Sequence, residues 1–285
     1  MIGHLAIIRL GPSDKRSGQR ARRRSMIAFL LLLIAGSCEK APATGPKPLV
    51  LFAASSVADV LRDVADRFEA DTKTRVVITQ GASGRLCKQL ELGAPCDGYL
   101  PAEPAYLDRL ERRGLIVSAT RERLATNQLV VVQAGRGARP WPDPARLLEA
   151  ALGPIAIASP EHAPAGRYAT EALRRAGLWD RLEGRVLFAD NVRMAARYVA
   201  EGGVQVGIVY ATDAMAFSDK LTVVYRFAAG EHRRIVYDAA VCRRSTNQAA
   251  ALAFLKFAAS GSAEDIWRRH GFGRADRDDV PPKGR

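Results

Sequence analysis

The chain has 285 residues, 48% of them hydrophobic and 26% charged, and a formal net charge of +13. That length and apolar content suffice for a sizeable core in one or two domains. The basic excess does not mark a nucleic-acid binder, because no Lys/Arg stripe forms: residues 1–37 hold seven basic residues and one acid, and the remaining cations are scattered as on solvated helix faces.

The first segment reads as an export signal. A basic stretch, "RARRRS", precedes the apolar run Met26 to Ala35, which is too short to cross a bilayer as a helix and has the length of a signal h-region. "IAGSC" follows and ends at Cys38, in the manner of a lipobox whose cysteine becomes the lipidated first residue. We therefore expect a lipoprotein-type signal over 1–37 and a Pro-rich tether over 38–47, with plain cleavage after Ala43 as the alternative. Residues 1–19 are unusual for a signal and fit a start codon placed too early. Without Cys38, three cysteines remain: Cys87, Cys96 and Cys242. They show no metal-ligand spacing. Cys87 and Cys242 read as small buried residues, and a Cys87–Cys96 disulfide is compatible with an oxidising compartment without being demanded.

After the tether, strands and helices alternate. "LVLFAA" (Leu49–Ala54) is an apolar strand, and the next helix carries Val57, Val60, Leu61, Val64 and Phe68 on one face. "RVVIT" (Arg75–Thr79) is a strand, followed by a short helix with Leu86 and Leu90 that stops at Gly93 and another with Tyr106, Leu107 and Leu110 that stops at Gly114. "NQLVVVQ" (Asn127–Gln133) is a strand leading into the Pro/Gly/Arg loop "AGRGARPWPDP". A second set follows: strand "PIAIA" (154–158), a helix with Ala169, Leu173 and Ala176, strand "RVLFA" (185–189), a helix with Val192, Ala195 and Val199, and strands 204–210, 221–225 and 234–242. Thr246 and Ser262 are the expected caps of two last helices, and 274–285 has the composition of a frayed end. Such alternation predicts parallel α/β sheets, here in two sets joined near "NQLVVVQ".

Enzymatic signatures are missing. The chain has no GxxxxGK[ST], no GxGxxG after a strand, no HExxH and no GxSxG, and none of His4, His162, His232 and His270 sits in a nucleophile–base context. We therefore expect a non-enzyme without a cofactor. What stands out instead is a repeated junction. Four strands run into helix starts at Ser55-Ser56, at "QGASG" with Ser83, at "SPEHAPAG" with Ala165, and at "DNV" with Val192. Ligands of open α/β sheets bind beyond the carboxyl ends of the strands, and helix N-termini offer unpaired amides to anions. Taken singly, Ser56 and Ser83 are ordinary N-cap residues, and Tyr210 at a strand end is an ordinary core or rim aromatic.

In order along the chain, "LFAASSVADVLRDVADRFE", "GASGRLCKQLELGAPCDGYL", "SPEHAPAGRYATEAL", "NVRMAARYVAEGGVQVGIVYATDA" and "FLKFAASGSAEDIWRRHGF" resemble the periplasmic molybdate-binding proteins of ABC importers over about Leu49 to Phe272. The resemblance implies the type II periplasmic binding protein fold: two α/β lobes joined by two crossovers, with the ligand in the cleft. It places lobe 1 at 48–128 plus 234–285 and lobe 2 at 129–233. Carried over by motif, Ser56 and Ser83 are hydroxyl and amide donors, Ala165 and Val192 amide donors, and Tyr210 a phenol donor. These residues would take molybdate or tungstate, in a periplasmic protein anchored through Cys38. Its partners would be an importer permease and its ATPase.

This chain departs from the family at Gly98, Pro101 and Glu103, at Cys87 and Cys96, and at Arg85, which reads either as positive charge at the cleft mouth or as a surface arginine. Sulfate or phosphate in the same architecture is the alternative. A small organic acid is another, and would require Arg85, Arg167 or Arg193 to point inward as a clamp.

Overall fold

The structure is a computed structural model that describes residues 47–150 and 153–274. The expected signal, Cys38 and all but the last residue of the tether lie outside the described residues. The first lobe contains β1 (Leu49–Ala54), α1 (Ala58–Thr72), β2 (Val76–Gly81), α2 (Ser83–Glu91), β3 (Gly98–Leu100), α3 (Ala105–Arg112) and β4 (Glu122–Asn127). One residue later β5 (Leu129–Ala134) opens the second lobe, which continues with β6 (Ile155–Ala158), α4 (Pro164–Arg175), β7 (Val186–Ala189), α5 (Val192–Ala200), β8 (Val206–Tyr210), α6 (Ala211–Ala216) and β9 (Leu221–Arg226). Residues 227–234 return the chain to the first sheet as β10 (Ile235–Val241), and α7 (Gln248–Ala258) and α8 (Gly261–Arg269) pack behind it.

The sheets have the orders β2-β1-β3-β10-β4 and β7-β6-β8-β5-β9. Both are mixed, which corrects the expectation of parallel sheets. In each, three strands run parallel, and the strands next to the lobe crossings, β10 and β4 in one sheet and β5 in the other, pair antiparallel with their neighbours. A strand that leaves one lobe and one that enters it must run in opposite senses, so the crossings force this pairing. The carboxyl ends of the parallel strands are level: Ala54 pairs with Gly81, and Ala158 with Ala189. Within each sheet the neighbouring helix starts therefore emerge at one depth.

The predicted apolar face of α1 is buried, with Val60, Leu61, Val64 and Phe68 all at most 4% exposed. Phe68 meets Phe254 edge-on at 5.3 Å, so the carboxyl-terminal helix α7 closes the back of the first sheet. Emptying such a site by Phe→Ala costs about 3–5 kcal/mol.

Two strands were not legible, β3 and β4. In β4 only Leu124 and Ala125 are buried, and the flanking charges escape the usual penalty because Arg121 and Arg123 donate to the buried Asp238 at 3.0 and 2.9 Å. The capping expectations are corrected. Asn247 and not Thr246 precedes α7, and Ser260 and not Ser262 precedes α8. Ser245 accepts the Asn247 amide at 2.9 Å and Ser260 donates back to Phe257 O at 2.7 Å, so each serine serves a turn already formed. No Cys87–Cys96 disulfide exists. All three cysteines are free and buried, with Cys87 packed inside α2 and Cys96 Sγ turned to Gly98 O at 3.1 Å.

Candidate functional site

Between the lobes lies a hollow of about 210 Å³, counting its open mouth. Ser56, Ser83, Ala165, Val192 and Tyr210 all line it, two from the first lobe and three from the second, so the five residues singled out from the sequence come together in one place. Ser55, considered as a neighbour, lines it too.

Each position follows from local folding. β1 ends at Ala54 and turns at once into a single 3₁₀ turn, Ser55–Val57, which carries Ser56 to the hollow before α1 begins. Ser83 is the first residue of α2, after the extended Ala82. Ala165 follows Pro164, which opens α4; Pro lacks the N–H that a first-turn position would leave unpaired. Val192 opens α5. First-turn amides have no intrahelical acceptor, so Ser83, Ala165 and Val192 present N–H groups by position alone. Their caps leave them open: Ala82 and Ala163 make no side-chain cap bond, and Asn191 Oδ1 accepts from Met194 N at 3.1 Å, further along the turn.

Neither serine acts as an N-cap. Ser56 Oγ meets Tyr237 OH at 2.9 Å, and Ser83 Oγ accepts the Ala102 amide at 3.1 Å. Accepting that bond uses one lone pair of Ser83 Oγ and leaves its hydrogen available to donate. Tyr210 is the most telling. It is fully buried, its ring meets Tyr168 at a tilt and Tyr237 edge-on, and its hydroxyl has no hydrogen-bond partner among the described residues. Burial holds that phenol well above its ordinary pKa, so it stays protonated and is a donor. A buried hydroxyl left unpaired costs about 1–3 kcal/mol.

Among the described residues no Asp, Glu, Lys or Arg lines the hollow. The three arginines that an organic acid would need are engaged elsewhere, each across the lobes. Arg85 pairs with Asp190, Arg167 with Glu103 at 2.8 Å, and Arg193 with Asp59 at 2.7 Å. They join the walls and leave the contents alone. Arg193 also lies 2.9 Å from Asp213, a fully buried carboxyl that burial, only partly offset by Arg193, pushes up to about 6. Among the described residues no group of His, Cys, Asp and Glu has the arrangement of a metal site.

Sequence reasoning missed Tyr237, the Ala102 amide behind Ser83 and the Asn191 cap. Only Asn191 had a local signal, an Asn directly before a helical pattern.

Residues 49–273 match the family model described as bacterial extracellular solute-binding protein. The molybdate-binding protein ModA of Escherichia coli is 34% identical over 233 residues, covering 79% of this chain and 88% of that one. A putative ABC transporter substrate-binding lipoprotein of Bacillus subtilis, YvgL, is 30% identical over 250 residues, covering 87% and 95%. The solved periplasmic molybdate-binding protein of Azotobacter vinelandii superposes with a TM-score of 0.70 at 25% identity, over 80% of this chain and all of that one.

Proposed function

Because the chain belongs to the bacterial extracellular solute-binding protein family, as a ModA-like member, we propose that it binds one tetrahedral oxyanion, molybdate or tungstate, and delivers it to an ABC importer. Ser56 and Ser83 each give a hydroxyl and an amide, Ala165 and Val192 an amide, and Tyr210 its phenol. The observation that carries this reading is the unpartnered, buried Tyr210 hydroxyl in a hollow lined by helix starts and free of charged side chains.

The physics favours a dianion without a proton. Such an ion leaves water only for a site dense in donors. Neutral donors on rigid elements meet that need without a counter-ion, and helix N-termini add their dipoles. An oxyanion that retains a proton, such as hydrogenphosphate, needs an acceptor, and no carboxylate stands in the lining. The arginines engaged across the lobes weigh against an organic acid. The permease and ATPase of the importer are the expected partners, and the protein works by carrying its ligand and not by catalysis. We further propose that the chain is held at the membrane by a lipid on Cys38; the lipoprotein name of the Bacillus subtilis relative supports this. Mass spectrometry of the membrane-extracted protein tests it, a diacylglyceryl adduct on Cys38 being the expected result and an unmodified amino terminus elsewhere the contrary one.

Calorimetric titration of residues 39–285 with molybdate, tungstate, sulfate and phosphate tests the main reading. Tight 1:1 binding of the first two and much weaker binding of phosphate is expected. Preference for phosphate, or for none of the four, contradicts it.

A further inference from the structure

The direction of the Ser56 proton is fixed by residues outside the hollow. Asn127, the last residue of β4, accepts the Gln128 amide at its Oδ1, 2.9 Å away. That orients the side-chain amide, so Nδ2 carries both hydrogens. They go to Thr212 Oγ1 at 2.9 Å and to Tyr237 OH at 3.1 Å. Tyr237 thus accepts from Asn127, and its own proton needs a different acceptor. The residue is fully buried, where an unpaired phenol hydrogen is costly. Its other hydrogen-bond neighbour is Ser56 Oγ, at 2.9 Å. Tyr237 therefore donates to Ser56, which fills a lone pair of the serine and leaves the serine's hydrogen to the hollow.

We infer that Tyr237 is a positioning residue which, held by Asn127, commits the Ser56 hydroxyl to donating, so that a bound oxyanion meets a hydrogen there and never a lone pair. The inference rests on the oxyanion reading of the hollow. It also explains why a tyrosine stands on β10 at this point: its ring packs edge-on against Tyr210 at 6.4 Å and Phe272 at 5.5 Å, which a phenylalanine would do equally well, so the hydroxyl has a separate use. Ser56, Tyr237 and Asn127 all belong to the first lobe.

A double-mutant cycle by molybdate calorimetry tests it on the chain from residue 39 onward. Tyr237→Phe should weaken binding by about 3- to 10-fold, and by less than about 2-fold when Ser56 is already alanine. Equal factors in both backgrounds, or no loss in the first, overturn the assignment. Should Tyr237→Phe fail to fold, Asn127→Ala enters the same cycle with the same expectations. A ligand-free readout separates this inference from the binding reading. In isotope-labelled protein without ligand, the Tyr237 hydroxyl proton should give a slowly exchanging NMR signal with contacts to the Ser56 methylene, lost in Ser56→Ala. If that signal is present but the wild type binds no molybdate, the binding reading falls and the proton direction stands. If it is absent, the role given to Tyr237 falls whatever the ion does.

Discussion

The backbone amide of Gly84, in the first turn of α2, donates to the carbonyl of His162 at 2.8 Å and so joins the first lobe directly to the second beside Ser83. The approach is possible only without a side chain: a Cβ on Gly84 would stand 2.6 Å from Tyr106 OH and 2.7 Å from His162 O. Tyr106 OH reaches the same carbonyl at 3.4 Å. This contact exists only while the lobes meet.

Gly84→Ala should therefore obstruct closure and leave the separate lobes intact. We expect molybdate affinity to fall at least about tenfold, since one lost cross-lobe bond and a forced displacement together exceed about 1.4 kcal/mol. Small-angle scattering should show no ligand-induced contraction in the variant. Wild-type affinity with a wild-type scattering change would show that the Gly84 contact is incidental.

The hydroxyl variants separate binding from stability. Ser56→Ala, Ser83→Ala and Tyr210→Phe should each weaken molybdate binding by about 10- to 150-fold, the worth of a hydrogen bond to a charged group. Tyr210→Phe should do so while leaving the empty protein as stable or more stable by about 1 kcal/mol, because it removes a buried hydroxyl with no partner. Thermal melts with and without ligand check both halves. A variant that binds normally ends the role of that residue.

These residues also show what the sequence could and could not reveal. The strand-to-helix junctions that hold Ser56, Ser83, Ala165 and Val192 were visible because apolar strands and helix starts leave local patterns, whereas Ala165 and Val192 themselves, which offer only backbone amides, were singled out by the family resemblance. The caps were misjudged because Thr246 and Ser262 satisfy the same local rule as their neighbours Asn247 and Ser260, and only the turn geometry chooses. Strand β4 was hidden because its charges are paired with Asp238, more than a hundred residues away. Tyr237 was invisible for the same reason: its partners Asn127 and Ser56 are distant in the chain, and it reads as one more apolar strand residue.

Asp213 gives a pH signature. Burial, partly offset by Arg193, raises its carboxyl from 3.8 to about 6. A group whose folded pKa exceeds its unfolded value binds protons preferentially in the folded state, so its contribution to stability is complete below the unfolded value and is lost as pH rises to about 6. Relative to Asp213→Asn, which cannot titrate, the wild type should gain about 1–3 kcal/mol as pH falls from about 7 to 4. Urea unfolding of both proteins across that range checks it. A pH-independent difference would contradict the buried carboxyl's role.

The cross-lobe arginines should act on the walls and not on the ion. Arg85 and Asp190 are both largely exposed, so their pair is screened and worth little. Arg85→Ala should change molybdate affinity by less than about 3-fold, with the difference vanishing at high salt. A loss as large as that of Tyr210→Phe would mean that the arginine touches the ligand.

Locating the ion is the most direct test of the proposed site. In a crystal of the protein grown with tungstate, the tungsten anomalous signal should give one peak in the hollow, with its oxygens about 2.7–3.1 Å from the Ser56, Ser83 and Tyr210 hydroxyls and the Ala165 and Val192 amides. A peak elsewhere, or an empty hollow at saturating tungstate, would contradict it.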